Sequence, residues 1–169
     1  LVIVGQPTVD TPAIRGLGEE LMAGRIVFDT LPHDELPQAY AAADVFTLGS
    51  LFETFGIVYI EAMAMGLPVV CTDHPNQRQI VQEGIFVDMR RPGALAQALR
   101  ASSRQALRDM GVRGRQLAML EYDLAALRSR YRAHLHAIAT ASVSLPRASL
   151  WTGISGNAAN AWRRLRRRV

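Results

Sequence analysis

The chain has 169 residues, enough for one domain, and its 49% apolar against 20% charged residues exclude a chain that is disordered throughout. The single cysteine, Cys71, excludes an intrachain disulfide framework and a cysteine zinc site. All 19 basic residues are arginines, so a mechanism that needs a lysine amine from this chain is also excluded.

The positive charge is concentrated near the C-terminus. Residues 145–169 contain six arginines and no acid, whereas residues 1–144 carry 13 arginines against 15 acids, a net charge of −2. The high sequence pI, near 10.0, is therefore due to the tail, residues 145–169. Residues 1–144 lack the excess of basic residues typical of a nucleic-acid-binding domain. We expect a cytoplasmic protein that the basic tail could bring to the anionic inner face of a membrane.

Short apolar runs alternate with helical patterns over the first 90 residues. We predict strands over 1–5, 26–29, 44–48, 68–72 and 85–88, and helices over 12–23, 33–43, 56–65 and 75–83. Asp10 or Thr11 is the predicted N-cap of the first helix, because Pro12 follows at its first position. Apolar strands alternating with helices predict an α/β fold with a doubly wound parallel sheet.

After residue 92 the pattern is helical. We predict one helix over 93–109 and a longer one over 113–139. Apolar residues recur along the longer helix at spacings of three and four: Leu117, Leu120, Leu124, Leu127, Tyr131, Leu135 and Ile138. Residues 140–160 are small and polar and precede the arginine cluster, so we expect a domain over 1–139, then a linker and basic tail over 140–169.

The most informative stretch, residues 50–70, reads SLFETFGIVYIEAMAMGLPVV. A strand ends near Gly49 and a helix begins near Gly56, and ligands of parallel α/β sheets bind where loops leave the carboxyl ends of strands. The amides at a helix start suit a phosphate, and a glycine there lets the backbone approach it closely. Carboxylates accept hydrogen bonds from hydroxyls, so Glu53 in the loop and Glu61 in the helix are candidate ligands of sugar and ribose.

At these residues the chain resembles the donor-binding, C-terminal half of retaining glycosyltransferases of the GT-B fold, family 4. That family has a Glu, a Phe-Gly pair, a second Glu and then Ala-Met-Ala-x-Gly-x-Pro-Val. The matching positions here are Glu53, Phe55, Gly56, Glu61, Ala62, Met63, Ala64, Gly66, Pro68 and Val69. The preceding residues 31–50 are also similar to the family, and the whole resemblance covers about residues 1–135. It implies a Rossmann-like sheet that lacks its first strand–helix unit and has a helical C-terminus.

The resemblance also implies the activity and the roles of residues. The family transfers a sugar from a nucleotide-sugar donor to an acceptor with retention of configuration, usually without a bound metal, so we expect no metal or other cofactor here. The residues implied to bind the donor are Glu53, Thr54, Phe55, Gly56, Ile57 and Glu61. Glu53 is the implied catalytic residue, which would hold hydroxyls of the transferred sugar, and Glu61 the implied ribose ligand.

Three further polar residues, Asp73, His74 and Arg78, follow the next strand and are additional candidates for the site. Each candidate also has a purely structural interpretation, as a solvated acid, a surface arginine or a residue at a strand end. Residues 72–81 read TDHPNQRQIV and lack the glycines that are common in the family at this point.

We expect the chain to be a fragment of a longer protein and inactive alone. The family's basic diphosphate ligands and its acceptor-binding N-terminal half would precede residue 1. If strand 1–5 is second in the sheet, either the chain alone is poorly stable or strands 1–5 and 44–48 close the gap. Two other functions remain open: a non-catalytic donor-binding module that needs a partner chain, and a nucleotide-sugar epimerase on the same fold.

Overall fold

All strand pairs in the computed structural model, which describes residues 1–141, are parallel. β1 (Val2–Val4) pairs with β2 (Val27–Asp29), and β3 (Phe46–Leu48) pairs with β4 (Val69–Thr72), which pairs with β5 (Gly84–Val87). The helices are α1 (Thr11–Met22), α2 (Leu36–Ala41), α3 (Ile57–Ala64), α4 (Pro75–Val81), α5 (Ala94–Ala101), α6 (Arg104–Glu121) and α7 (Leu124–Thr140). The predicted α/β fold with parallel strands is confirmed.

The strands form two sheets, ordered β1–β2 and β3–β4–β5. Because β1 and β3 do not pair, the prediction that these two strands close the gap in the sheet is wrong. The physical reason is the distribution of apolar burial. Residues 1–29, which contain β1, α1 and β2, include one buried residue, Ile26, which directly precedes β2. Val2 and Val27 are exposed. Little hydrophobic free energy is therefore available to draw β1 towards β3.

The hydrophobic core lies around β4, whose residues are all buried. Successive side chains of a strand face opposite sides of a sheet, and β4 uses both sides. Val69 and Cys71 belong to a cluster with Tyr59 of α3 and Ala118 of α6, whereas Val70 packs with Val87 and Ala94. Burial on both faces, which the apolar runs predict, is thus confirmed for β4. The core consequently holds the strand ends next to the candidate site.

The predicted helix over 93–109 is two helices. α5 ends at Ala101, and the backbone of Ser102 and Ser103 is extended. The Ser103 hydroxyl then accepts a hydrogen bond from the Ala106 N–H at 3.1 Å and caps α6. α6 continues through Gly111 and Gly114, so the predicted break before residue 113 is wrong.

The predicted helix over 113–139 is likewise interrupted. α6 ends at Glu121, and the Asp123 carboxylate accepts hydrogen bonds from the N–H groups of Ala125 and Ala126 at 2.9 and 3.1 Å. The apolar spacing continues across this cap, which is why the spacing predicts one helix. α2 is also shorter than the predicted 33–43, because residues 33–35 form a turn.

The chain divides into two units, Leu1–Arg128 and Ser129–Val169. In the second unit the described residues are the end of α7, where Tyr131, Leu135 and Ile138 are exposed. The predicted linker and basic tail lie, from residue 142 onward, outside the described residues. None of the helices within residues 1–141 is long and apolar enough to cross a membrane.

Candidate functional site

Gly56 joins the loop after β3 to the start of α3. Its backbone is left-handed, with φ 62° and ψ 61°, a conformation that favours glycine. A Cβ at this position would lie 2.6 Å from Tyr59 Cε2 and 2.9 Å from Glu53 Cγ. The Glu53 side chain therefore packs against the helix start. Among residues 1–141 no side chain caps α3, and the Tyr59 N–H already bonds to the Gly56 carbonyl oxygen, so the first two amides of the helix are available to an anionic ligand.

Two amide side chains from α4 hold this loop in place. Asn76 Nδ2 donates a hydrogen bond to the Glu53 carbonyl oxygen at 3.1 Å, and Gln77 Nε2 donates to the Ser50 carbonyl oxygen at 3.3 Å. Gln77 is completely buried. The segments that follow β3 and β4 are thus joined, as expected for neighbouring parallel strands. Neither Asn76 nor Gln77 is among the predicted site residues. Two amide side chains in the first turn of a helix that follows a strand are, however, a sequence signal that could have identified them.

Glu61, half-buried on α3, is held by a residue of α2. The Tyr40 hydroxyl donates a hydrogen bond to Glu61 Oε2 at 2.9 Å. Burial, together with the hydrogen bond and the charge of Glu61, raises the pKa of Tyr40 well above its ordinary value. The hydroxyl therefore stays a donor at neutral pH. Tyr40 was not predicted as a site residue, because the contact joins positions 21 residues apart and no spacing within one helix indicates it.

His74 lies between β4 and α4 and caps that helix. Its Nδ1 accepts a hydrogen bond from the Asn76 N–H at 3.3 Å, and its ring meets the edge of Phe52 at 5.9 Å between centroids. Because Asn76 also binds the Glu53 carbonyl, His74 and Glu53 contact the same residue. The structure thus brings His74 to the predicted loop.

Asp73 and Arg78 form an ion pair with each other. Arg78 donates from Nε to Asp73 Oδ1 at 2.6 Å and from Nη2 to Oδ2 at 2.9 Å, and its guanidinium lies 4.5 Å from the centre of the Phe86 ring. These hydrogen bonds hold the pKa of Asp73 below, and that of Arg78 above, their ordinary values. Both side chains are about half-exposed, so the pair contributes little to stability.

The remaining predicted residues, Thr54, Phe55 and Ile57, are exposed beside Gly56. The Phe55 ring meets Tyr122 edge-on at 6.2 Å. Within residues 1–141, no hydrogen bond or ion pair joins Glu61 to the segment that contains His74. No group of three or more His, Cys, Asp or Glu residues in this described part is placed to hold a metal ion.

A cavity of about 340 Å³ lies elsewhere, at the carboxyl ends of β1 and β2. Its lining includes Gln6, Arg15 and Thr30 but none of the predicted site residues. The Arg15 guanidinium packs over the Phe28 ring at 4.6 Å, so it already has an aromatic partner.

Comparison with known proteins identifies glycosyltransferases as relatives of this chain. A family model described as "Glycosyl transferases group 1" matches residues 1–104. The sulfoquinovosyl transferase of Arabidopsis thaliana is 52% identical over 67 residues, which cover 38% of this chain and 13% of that protein. A D-inositol 3-phosphate glycosyltransferase of Corynebacterium urealyticum is 42% identical over 88 residues, covering 49% and 21%. The chain thus spans less than a quarter of each of these two relatives.

Solved structures show the same fold. The sucrose-phosphate synthase of Thermosynechococcus elongatus superimposes with a TM-score of 0.73 at 27% identity, covering 84% of this chain and 39% of that one. Anabaena HepE, solved in complex with UDP and glucose, gives a TM-score of 0.68 at 21% identity, covering 80% and 40%, and shows the fold alone. Because the family model covers more than half of the sequence and these structures share its architecture, the chain belongs to the group 1 glycosyltransferases and is a partial Rossmann-like domain of the GT-B fold.

Proposed function

We propose that the chain is the donor-binding half of a retaining glycosyltransferase of family 4, which transfers a sugar from a nucleotide-sugar donor to an unidentified acceptor. The observation that carries this proposal is the left-handed Gly56, with Glu53 packed against it and Glu61 on the helix that it opens. The names of the relatives support it, as does the UDP and glucose bound by Anabaena HepE.

The proposed chemistry relies on fixed charges and hydrogen bonds. Amides at the start of α3 donate hydrogen bonds to the diphosphate of the nucleotide sugar, and Gly56 lets the backbone approach it. Glu53 binds hydroxyls of the transferred sugar beside the reacting carbon, and Glu61 binds the ribose. Stabilising the charge of the leaving diphosphate lowers the barrier without a protein nucleophile or a metal.

The other candidates have smaller proposed roles. Thr54, Phe55 and Ile57 contribute backbone contacts, which their exposed position beside Gly56 supports. His74 borders the sugar, since it shares Asn76 with the loop. Asp73 and Arg78 would reach a ligand only if their ion pair opened.

The rest of the protein completes this proposal. We propose that residues 1–139 are the donor-binding domain and 140–169 a linker and basic tail that could meet an anionic membrane from the cytoplasm. A further strand would fill the gap between β1 and β3, and a separate half would bind the acceptor. This further strand is supported by the edges of β1 and β3, which have no partner among residues 1–141.

Donor binding tests the proposal first. The experiment uses the natural-length protein, by which we mean this chain within the complete protein in which it occurs. Saturation-transfer NMR with UDP-, GDP- and ADP-sugars should show saturation of the ribose and sugar protons of one donor. Glu61→Ala should abolish that signal, whereas Glu83→Gln, which removes an acid paired with Arg113, should keep it. No saturation by any donor, from a folded protein, would contradict the proposed function.

Transfer tests the role of Glu53. Glu53→Gln keeps the size of the side chain but removes its charge, so we expect kcat to fall by about 100-fold or more. Measured transfer to an acceptor, with Glu83→Gln as the control, checks this. Transfer near the wild-type rate by Glu53→Gln would refute the role. A wild-type protein that binds a donor but transfers no sugar would favour the non-catalytic module.

A further inference from the structure

We infer that Tyr40 is a positioning residue that holds the Glu61 carboxylate towards the ribose and so makes the site select nucleotides with ribose hydroxyls. This inference rests on the proposed function, because it assumes that Glu61 binds the ribose. Tyr40 itself need not touch the ligand; it acts through Glu61.

The hydrogen bond leaves one carboxylate oxygen for a ligand. The Tyr40 hydroxyl donates to Glu61 Oε2 at 2.9 Å, and among residues 1–141 the structure gives Oε1 no hydrogen-bond partner. Each carboxylate oxygen can accept two hydrogen bonds. Oε1 is therefore able to accept from both hydroxyls of a ribose while Oε2 stays bound to Tyr40.

Aromatic packing makes Tyr40 a rigid support. Its ring packs against Phe46 of β3 at 5.9 Å, and Phe46 meets Tyr59 of α3 edge-on at 6.1 Å. Tyr40 and Phe46 both pack against the core cluster that contains Tyr59. Three elements thus fix the hydroxyl, and burial raises the pKa of Tyr40, so the hydroxyl stays protonated at neutral pH.

A fixed carboxylate penalises a nucleotide without ribose hydroxyls. Glu61 is half-buried, and a ligand of this kind that covers it displaces water from Oε1 without supplying a donor, which leaves a costly unpaired acceptor. Without the Tyr40 hydroxyl, the carboxylate can turn towards solvent or adjust to the ligand. Both the affinity for the normal nucleotide and the selectivity for its hydroxyls should then decrease.

The test is the ratio of dissociation constants for a 2′,3′-dideoxy nucleotide and its normal counterpart, measured on the natural-length protein by calorimetry. UDP and 2′,3′-dideoxy-UDP are the first pair, with the GDP and ADP pairs alongside. Tyr40→Phe should weaken binding of the normal diphosphate about 5- to 10-fold and leave the dideoxy form within about twofold, so the ratio falls.

Two further variants separate positioning from simple loss of structure. Tyr122→Phe is the matched control, because it also removes one hydroxyl from a half-buried ring, there bonded to the Ile80 carbonyl oxygen at 3.2 Å. It should leave the ratio unchanged. In a Glu61→Gln background, Tyr40→Phe should produce no further change in the ratio, since a positioning residue acts only through its partner.

The outcomes distinguish this inference from the proposed function. If Glu61→Gln lowers the ratio but Tyr40→Phe leaves it unchanged, or weakens both ligands equally, the inference is overturned and the proposed function stands. If Glu61→Gln leaves the ratio unchanged, or the wild-type protein binds none of the three diphosphates, the proposed function fails and this inference with it.

Discussion

At Gly56, the backbone conformation and the packing of neighbouring side chains both disfavour any residue other than glycine. A non-glycine residue with φ 62° is strained, and a Cβ would overlap both the Tyr59 ring and Glu53 Cγ. We expect Gly56→Ala to lower the free energy of unfolding by about 2 to 4 kcal/mol, from the left-handed backbone and the overpacking together.

Gly49 provides the matched control for this substitution. It precedes the same loop, and its φ is not in the left-handed region. Among residues 1–141, apart from its chain neighbours, no heavy atom would lie within 4 Å of a Cβ at this position. Gly49→Ala should therefore change stability by less than about 1 kcal/mol in urea denaturation. Equal losses for the two variants would contradict the steric explanation.

The sequence was informative about site residues that are neighbours in the chain. Glu53, Gly56 and Glu61 belong to one loop–helix motif, so their pattern is visible in a single stretch. Tyr40 and Gln77 reach the same region only because α2 and α4 pack beside α3 and the loop. Contacts of this kind depend on tertiary packing, which the local spacing of residues does not encode.

At the scale of elements, two glycines of α6 approach α3 and the turn that follows it. A Cβ on Gly111 would overlap the carbonyl oxygen of Gly66, whereas one on Gly114 would lie 3.4 Å from Met63 Cγ, an ordinary contact. Alanine is intrinsically better than glycine within a helix by up to about 1 kcal/mol.

Replacing glycine by alanine should therefore have opposite effects on stability at these two positions. Gly111→Ala should destabilise the protein by about 2 kcal/mol or more, because a backbone carbonyl cannot rotate away as a side chain can. Gly114→Ala should be neutral or stabilise by up to about 1 kcal/mol. Thermal and urea denaturation of both variants checks this, and similar destabilisation by both would contradict the close approach at Gly111.

The strands and the first helices were predicted near their observed positions because glycines, prolines and changes of period mark their ends. The breaks at Ser103 and Asp123 were not predicted, since apolar residues keep their helical spacing on both sides. There the capping hydrogen bonds, rather than the apolar pattern, end one helix and start the next.

At the scale of the whole molecule, burial is uneven. Within residues 1–141, every buried apolar residue except Ile26 belongs to the stretch from Tyr59 to Ala118. The β1–β2 sheet has no hydrogen-bonded neighbour among the described residues, and two-stranded sheets are only marginally stable.

We therefore expect the isolated 169-residue chain to unfold in a broad transition, at a lower temperature than the same residues within the longer protein proposed above. Circular dichroism melting of the isolated chain, with calorimetry of the natural-length protein, checks this. A single sharp transition at high temperature from the isolated chain would contradict it.

The unpaired edges of β1 and β3 have a consequence for handling the protein. Among residues 1–141, neither edge has a strand partner, so its backbone donors and acceptors can template pairing with a strand from another molecule. β1 adds exposed Val2 and Val4, the kind of apolar strand that promotes aggregation. Purified as it stands, the chain should tend to self-associate through these edges, and a coexpressed strand that occupied them would suppress that association.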